Sequence, residues 1–444
     1  MAIAGASGAL IPPEAPAAFH ILAKPTGAIC NLDCSYCFFL SKELLYPGSR
    51  FRMAEDLQEA YIRQLLEAHR HVPEVMIAWQ GGEPTLMGLD FFRRSIALQR
   101  KHARPGQRVL NTLQTNGTLL DDEWAVFLKA NDFLVGISID GPAELHDRFR
   151  VDKGGKPTFD RVVGGLECLK RRGVDWNVLT CIHSANCDHG LGVYRFLRDE
   201  LEARFIQLIP IVERTTAGKV EEAGDGLPTA LDGHRVTERS VPPLQYGQFL
   251  VDVFEEWVRR DIGSVFVQTF DAALAHWCDE PGGLCIHEET CGLQLALEHN
   301  GDVYSCDHFV EPRFKLGNIK REHMLKLVSS PEQQRFGLAK RETLTPHCRA
   351  CDVRFACNGG CPKDRFVRSP DGDPGHNYLC EGYALFFRHV DRSMRVMAEL
   401  LAARRPPALL MERYAADDRE RGAQRPLHLR PRPEVEALPW RAPS

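Results

Sequence analysis

Cys30-Asn31-Leu32-Asp33-Cys34-Ser35-Tyr36-Cys37 is the stretch on which the reading of this chain turns. Its three thiols stand at C-x3-C-x2-C spacing on one short loop. As thiolates they can bind three irons of a [4Fe–4S] cube and leave the fourth iron open to an outside ligand. An electron-carrying cube, by contrast, takes four cysteines. The bland reading of the same spacing is a partial zinc site. The position of the loop favours the first reading, because it follows a β-prone run, Phe19–Ala23.

Moving outward, five more β-prone runs follow: Val75–Trp79, Val109–Gln114, Phe133–Ile139, Val174–Ile182 and Phe205–Ile211. Stretches of helical periodicity lie between them, at Ala54–Ala68, Leu89–Lys101, Asp121–Ala130, Phe159–Arg172 and His189–Glu200. Strands alternating with helices predict parallel β/α units, here an open, partial (β/α)6 barrel of α/β class. The second run ends in Gln80-Gly81-Gly82-Glu83-Pro84, the third in Gln114-Thr115-Asn116-Gly117 and the fourth in Ser138-Ile139-Asp140-Gly141-Pro142. Ligands collect at the carboxyl ends of parallel strands, so these ends point to one shared site.

The totals bound the remaining choices. The 444 residues allow two or three domains, and a net charge of −5 gives no polyanion-binding signal, so nucleic acid is not an expected partner. Met1–Phe19 has no basic start followed by an apolar core, and no apolar run is long enough to span a membrane. The expected compartment is cytoplasmic, where disulfides are rare and clustered cysteines bind metal. The 15 cysteines are clustered, at 30–37, 285–306 and 348–380. The expected division is a flexible 1–17, a barrel at 18–240, linking helices at 241–284, a cysteine-rich domain at 285–382, a helix at 383–403 and a flexible tail at 404–444. Within these, Arg214–Ser240 reads as an insertion loop, Leu244–Arg260 as an amphipathic helix, and Asn300-Gly301 as the turn of a hairpin. Gly282–Cys380 shows little helical signal.

The triplet with Gly81-Gly82-Glu83-Pro84 resembles the radical S-adenosylmethionine (SAM) superfamily. In that superfamily the open iron chelates SAM, whose reductive cleavage gives a 5′-deoxyadenosyl radical that abstracts hydrogen. The resemblance implies that Cys30, Cys34 and Cys37 hold the first cluster. It further implies that Gly81, Gly82 and Glu83 bind the methionine amino end, that Tyr36, Ser138 and Arg150 contact SAM, and that Leu208 lines the adenine pocket. A tight turn, a surface salt bridge for Arg150 and a core role for Leu208 are the corresponding plain readings.

Farther on, Cys291-x9-Gly301-x4-Cys306, Cys348-x2-Cys351-x5-Cys357-x3-Cys361 and Cys380 resemble the SPASM domain, and Cys285 supplies an eighth thiol. The resemblance implies two auxiliary [4Fe–4S] clusters, three in all. One would be held by Cys285, Cys291, Cys306 and Cys361, the other by Cys348, Cys351, Cys357 and Cys380. Spacing alone would make 348–361 one site, and a pair of four-cysteine zinc sites is the alternative. Cys168, Cys181, Cys187 and Cys278 read as structural thiols.

Trp79–Leu86, Val135–Pro142 and Asn377–Tyr383 narrow the likeness to the anaerobic sulfatase-maturating enzymes. This implies oxidation of a cysteine or serine of a nascent or unfolded sulfatase to Cα-formylglycine without oxygen, with a low-potential donor such as flavodoxin or ferredoxin. Asp307, directly after Cys306, matches the family's catalytic base. Phe39 departs from the pattern, which often has tyrosine there. The competing readings are another SPASM enzyme that forms a thioether or crosslink in a ribosomal peptide, and a metal-stabilised interaction protein.

Overall fold

The computed structural model describes residues 15–216, 219–220 and 235–423. Six parallel strands form where the apolar runs lie: β1 (His20–Lys24), β2 (Glu74–Trp79), β3 (Arg108–Thr115), β4 (Phe133–Ser138), β5 (Asp175–Ile182) and β6 (Phe205–Pro210). The helices between them bury their periodic faces. In the helix Phe159–Arg172, for example, Val162, Leu166 and Leu169 are buried while Lys170, Arg171 and Arg172 favour its C-terminal dipole.

The sheet extends past both ends of this six-strand core. A two-residue strand, β7 (Phe266–Val267), adds in parallel to β6. On the other side β8 (Gln294–Glu298) pairs in parallel with β1, His20 facing Gln294 and Lys24 facing Glu298. β8 then turns through Asn300-Gly301 into antiparallel β9 (Asp302–Tyr304), and β10 (Lys315–Asn318) follows. The sheet order is β7-β6-β5-β4-β3-β2-β1-β8-β9-β10. The expected hairpin is therefore present, but it continues the barrel sheet, so the first strand of the cysteine-rich segment is hydrogen-bonded to the first strand of the chain.

Three expectations from sequence need correction. Pro331–Glu342 is a helix, capped by the Ser330 hydroxyl, which accepts from the Gln333 N–H at 3.2 Å. Its mostly polar surface hides the helical period. Leu409–Ala423 is also a helix, within the segment expected to be a flexible tail. It is docked where the Tyr414 hydroxyl meets Ser393 Oγ at 2.6 Å and the Arg259 guanidinium lies 4.5 Å from the Tyr414 ring centroid. The insertion Arg214–Ser240 contains a small antiparallel ladder of Arg214–Thr216, Lys219–Val220 and Arg235–Val236. Residues 1–14, 217–218, 221–234 and 424–444 lie outside the described residues. Among the described residues no helix is long and apolar enough to cross a membrane.

Candidate active site

The triplet loop leaves β1 and is fastened from two sides. The Asp33 and Ser35 N–H groups donate to the carbonyls of Val151 and Phe149. Asn116, at the end of β3, points Nδ2 at Cys30 Sγ, 3.5 Å away, and at Asn31 Oδ1, 2.8 Å away. Burial pushes the Cys30 thiol up to about 11 and Cys34 to about 12, and the negative charges of Glu83 and of neighbouring thiols add to the rise. Three mutually repelling thiols in one pocket are stable as thiolates only with a cation to bind, which is the donor set a cluster requires.

Gly81 and Gly82 bring the end of β2 against that loop. A Cβ on Gly82, whose φ is +47°, would stand 2.1 Å from the Ile29 carbonyl oxygen, and one on Gly81 would strike Lys24. Only glycine permits this approach. The Glu83 N–H donates to the Ile29 carbonyl at 2.9 Å, which pins the two loops. The Glu83 side chain also binds within the protein. It is fully buried and accepts from the Thr85 N–H, Thr85 Oγ1, Thr115 Oγ1 and the Asn116 N–H at 2.6–3.0 Å. Oε1 takes three of these bonds and Oε2 only the Asn116 N–H, so Glu83 joins the ends of β2 and β3 and Oε2 keeps acceptor capacity.

Tyr36 and Arg150 converge on a residue absent from the expected ligand set, Asp140. The Tyr36 hydroxyl and Arg150 Nε (2.8 Å) both donate to Asp140 Oδ2, and the Cys181 N–H donates to Oδ1 at 2.9 Å. Burial opposes the charge of Asp140, yet Arg150 and His183 hold its carboxyl well below the usual carboxylate range. Arg150 is therefore no surface salt bridge; it is 7% exposed and locked in place. Asp140 could have been found from its place at a strand end two residues after Ser138. Ser138 is half-buried and accepts from Gln114 Nε2 at 3.1 Å. Leu208 is buried in the apolar core beside Ile206, the placement of a packing residue.

The eight later thiols fall into two groups. Like-charge effects link Cys285 with Cys291, Cys306 with Cys361 and Cys285, and Cys361 with Cys285 and Cys291. They also link Cys357 with Cys348 and Cys351, and Cys380 with Cys357, Cys348 and Cys351. Cys361 thus lies with the distant Cys285–Cys306 group, not with the spacing neighbours Cys348–Cys357. The second group lines a cavity beside Asn377 and Ala384. Among the described residues no three His, Cys, Asp or Glu side chains close around a single metal ion. All 15 cysteines are free of disulfides.

Asp307 stands at the junction of these sites. It opens a short 3-10 turn directly after Cys306 and is buried. The Lys24 ammonium, from the end of β1, lies 2.6 Å from Asp307 Oδ1 and 3.7 Å from Glu298 Oε1. Lys24 is 1% exposed and rests 4.4 Å from the Phe39 ring centroid. Phe39 therefore packs its face on the cation that pairs with Asp307, a role a ring fills without a hydroxyl. The sequence reading missed Lys24; the signal was its place as a lone charge closing an apolar strand.

The chain is similar to known proteins along most of its length. Residues 25–197 match the Radical SAM superfamily and residues 289–352 match an iron–sulfur cluster-binding domain, SPASM. A serine-type anaerobic sulfatase-maturating enzyme of Bacteroides thetaiotaomicron is 42% identical over 396 residues, covering 88% of this chain and 94% of the relative. A cysteine-type anaerobic sulfatase-maturating enzyme of Clostridium perfringens is 33% identical, covering 83% and 95%. The solved structure of native anSMEcpe with bound AdoMet and Cp18Cys peptide superposes with a TM-score of 0.75 at 32% identity, covering 86% of this chain and 99% of that one.

Proposed function

The chain belongs to the anaerobic sulfatase-maturating enzymes, radical SAM enzymes with a SPASM domain, and from that premise we propose that it oxidises a cysteine or serine of a sulfatase polypeptide to Cα-formylglycine without oxygen. The observation that carries this reading is the buried Lys24–Asp307 pair, which ties a carboxylate to both the radical-generating barrel and a thiol of the cysteine-rich domain. Cys30, Cys34 and Cys37 would hold one [4Fe–4S] cluster, and the two groups of four thiols would hold one each. Bound there, the clusters and SAM would supply hydrogen-atom abstraction and a place for the second electron.

The chain's own part is positioning and proton transfer. Gly81 and Gly82 let the backbone reach the ligand bound at the triplet. Asp140 holds Tyr36 and Arg150 in register, with the Arg150 fork available as a planar donor to a carboxylate. The target side chain, –CH2–OH or –CH2–SH, must lose one hydrogen atom, one electron and one proton to become –CH=O or –CH=S. Asp307 would accept the proton from the oxygen or sulfur, as a general base. Lys24 orients that carboxylate and stabilises it until the proton arrives. A thioaldehyde then exchanges sulfur for water oxygen and releases sulfide. The required low-potential electron would come from a flavodoxin or ferredoxin.

Incubating the reconstituted enzyme with SAM, a reductant and a sulfatase-motif peptide bearing Cys or Ser tests the proposal. Formylglycine, detected by aldehyde labelling and by mass, is the expected product. SAM cleavage with both peptides untouched would refute it. Asp307→Asn should retain SAM cleavage while aldehyde formation falls by about 10²–10⁴, the usual contribution of a general base.

A further inference from the structure

Two buried cations in the cysteine-rich domain take no part in the mechanism above. Lys340 is fully buried, and its ammonium donates to the carbonyls of Cys285 (2.6 Å), Ile286 (3.0 Å) and Glu288. It thereby fills the concave side of the loop that carries Cys285 and Cys291. Arg365 is 4% exposed and donates to the carbonyls of Gly359 (3.0 Å), Asn358 (2.9 Å) and Gly360 (3.3 Å). Those three residues all have positive φ and form the whole link between Cys357 and Cys361, which belong to different thiol groups. Arg365 Nη1 also donates to the Lys340 carbonyl, so the two cations are joined.

Carbonyl partners satisfy hydrogen bonds but do not neutralise charge. A buried cation is costly unless an anion lies nearby, and the thiolates are the anions this region offers. We propose that Lys340 and Arg365 set the reduction potentials of the two auxiliary centres, Lys340 acting chiefly on the Cys285, Cys291, Cys306 and Cys361 centre and Arg365, which clamps the link between the groups, acting on both. The proposal rests on the assignment of these eight thiols to two clusters. The electrostatics are weighted in the same way: burial lowers the pKa of both cations, opposed for Lys340 by Cys291, Cys361 and Cys285, and for Arg365 by Cys348, Cys361, Cys291 and Cys357, while Lys340 also reaches Cys357 of the second group. A fixed positive charge favours the reduced, more negative cluster, and net charge and hydrogen bonding are the means by which a protein tunes such centres. Lys340 and Arg365 are positioning residues in this sense; neither touches substrate.

The test is a potentiometric titration, followed by electron paramagnetic resonance, of the reconstituted holoenzyme and its Lys340→Met, Arg365→Gln and Arg365→Lys variants, with iron counted in each. Lys340→Met should move both auxiliary midpoints to more negative potential, one of them clearly farther than the other. Arg365→Gln should move both, and Arg365→Lys, which keeps the charge, should return both toward the wild-type values. Unmoved midpoints in variants that keep about twelve irons would overturn the proposal, as would equal shifts of both centres in Lys340→Met. Loss of iron from both Lys340→Met and Arg365→Lys would make the cations structural only and overturn it too. A wild-type enzyme with only about four irons would instead overturn the underlying cluster assignment, a failure distinct from unmoved midpoints.

Discussion

The triplet site and the cysteine-rich domain use the same ligand atom in opposite ways. Cys30, Cys34 and Cys37 lie on one loop at the carboxyl end of β1, where neighbouring strand ends press in through Gly82, Asn116 and Asp140. The other eight thiols are drawn from the whole span between Cys285 and Cys380 and sort into groups that ignore sequence order. A local set of three leaves a coordination position for a ligand, and the surrounding strand ends shape what enters it. A dispersed set of four closes on itself and fastens together short strands and helices that lie far apart in the chain. The two regions meet where β8 pairs with β1, and Lys24 and Asp307 bridge that seam.

Removing one thiol from each region is the most severe way to test this division. Cys34→Ala should abolish SAM cleavage while about eight of about twelve irons remain. Cys351→Ala should keep SAM cleavage, lose about four irons and yield no aldehyde. Iron assay and chromatography of 5′-deoxyadenosine distinguish the two, and identical behaviour would dissolve the comparison. Gly82→Ala strikes only the barrel side. Its Cβ would collide with the Ile29 carbonyl at 2.1 Å, with φ at +47°. The triplet loop would have to shift, and a displacement of that kind costs on the order of 10²-fold in rate. SAM cleavage should fall by about that factor with the auxiliary irons retained.

This division also governs what could be read from the sequence. The barrel strands were legible because each is an apolar run bounded by turn residues, and the triplet because its ligands are contiguous. The pairing of β8 with β1 was not legible. Nothing in Gln294–Glu298 names a partner 274 residues away in sequence, since parallel pairing is set by tertiary packing. The grouping of Cys361 with Cys285 was supplied by family resemblance, because spacing alone favours Cys357. Glu83 shows a different limit: the sequence marks an acidic residue in a Gly-rich strand end, and only the fold reveals that its carboxylate also links β2 to β3 through four internal hydrogen bonds. Asp140 and Lys24 escaped because their partners, Arg150 and Asp307, are joined to them by the fold.

A milder change tests the seam itself. Lys24→Met removes the cation shared by Asp307 and Glu298 and leaves two buried carboxylates without it. Breaking a buried pair from one side costs about 3–5 kcal/mol, so the melting temperature should drop. If Lys24 orients the base, aldehyde formed per SAM cleaved should also fall, by about tenfold. Unchanged coupling in the folded variant would reduce Lys24 to a structural cation.

The most gradual effect is expected from acid, and it falls on the barrel side. His146 Nδ1 accepts from the Asp140 N–H at 3.3 Å, and its Nε2 lies 3.2 Å from Thr158 Oγ1, which donates to the Arg150 carbonyl. The imidazole thus supports both members of the Asp140–Arg150 pair, and it must be neutral to accept at Nδ1. Burial first, and then Arg150, lower its pKa to about 3. An unfolded chain would take up the proton near 6.5. The unfolded state binds more protons between those values, so the stability held above about pH 6.5 is lost as pH falls toward about 3, at up to about 1.4 kcal/mol per pH unit. His146→Asn should be less stable at neutral pH, yet its melting temperature should decline less steeply between about pH 6.5 and 4.5. Parallel slopes for the two proteins would show that His146 is not the acid-sensitive element of the barrel site.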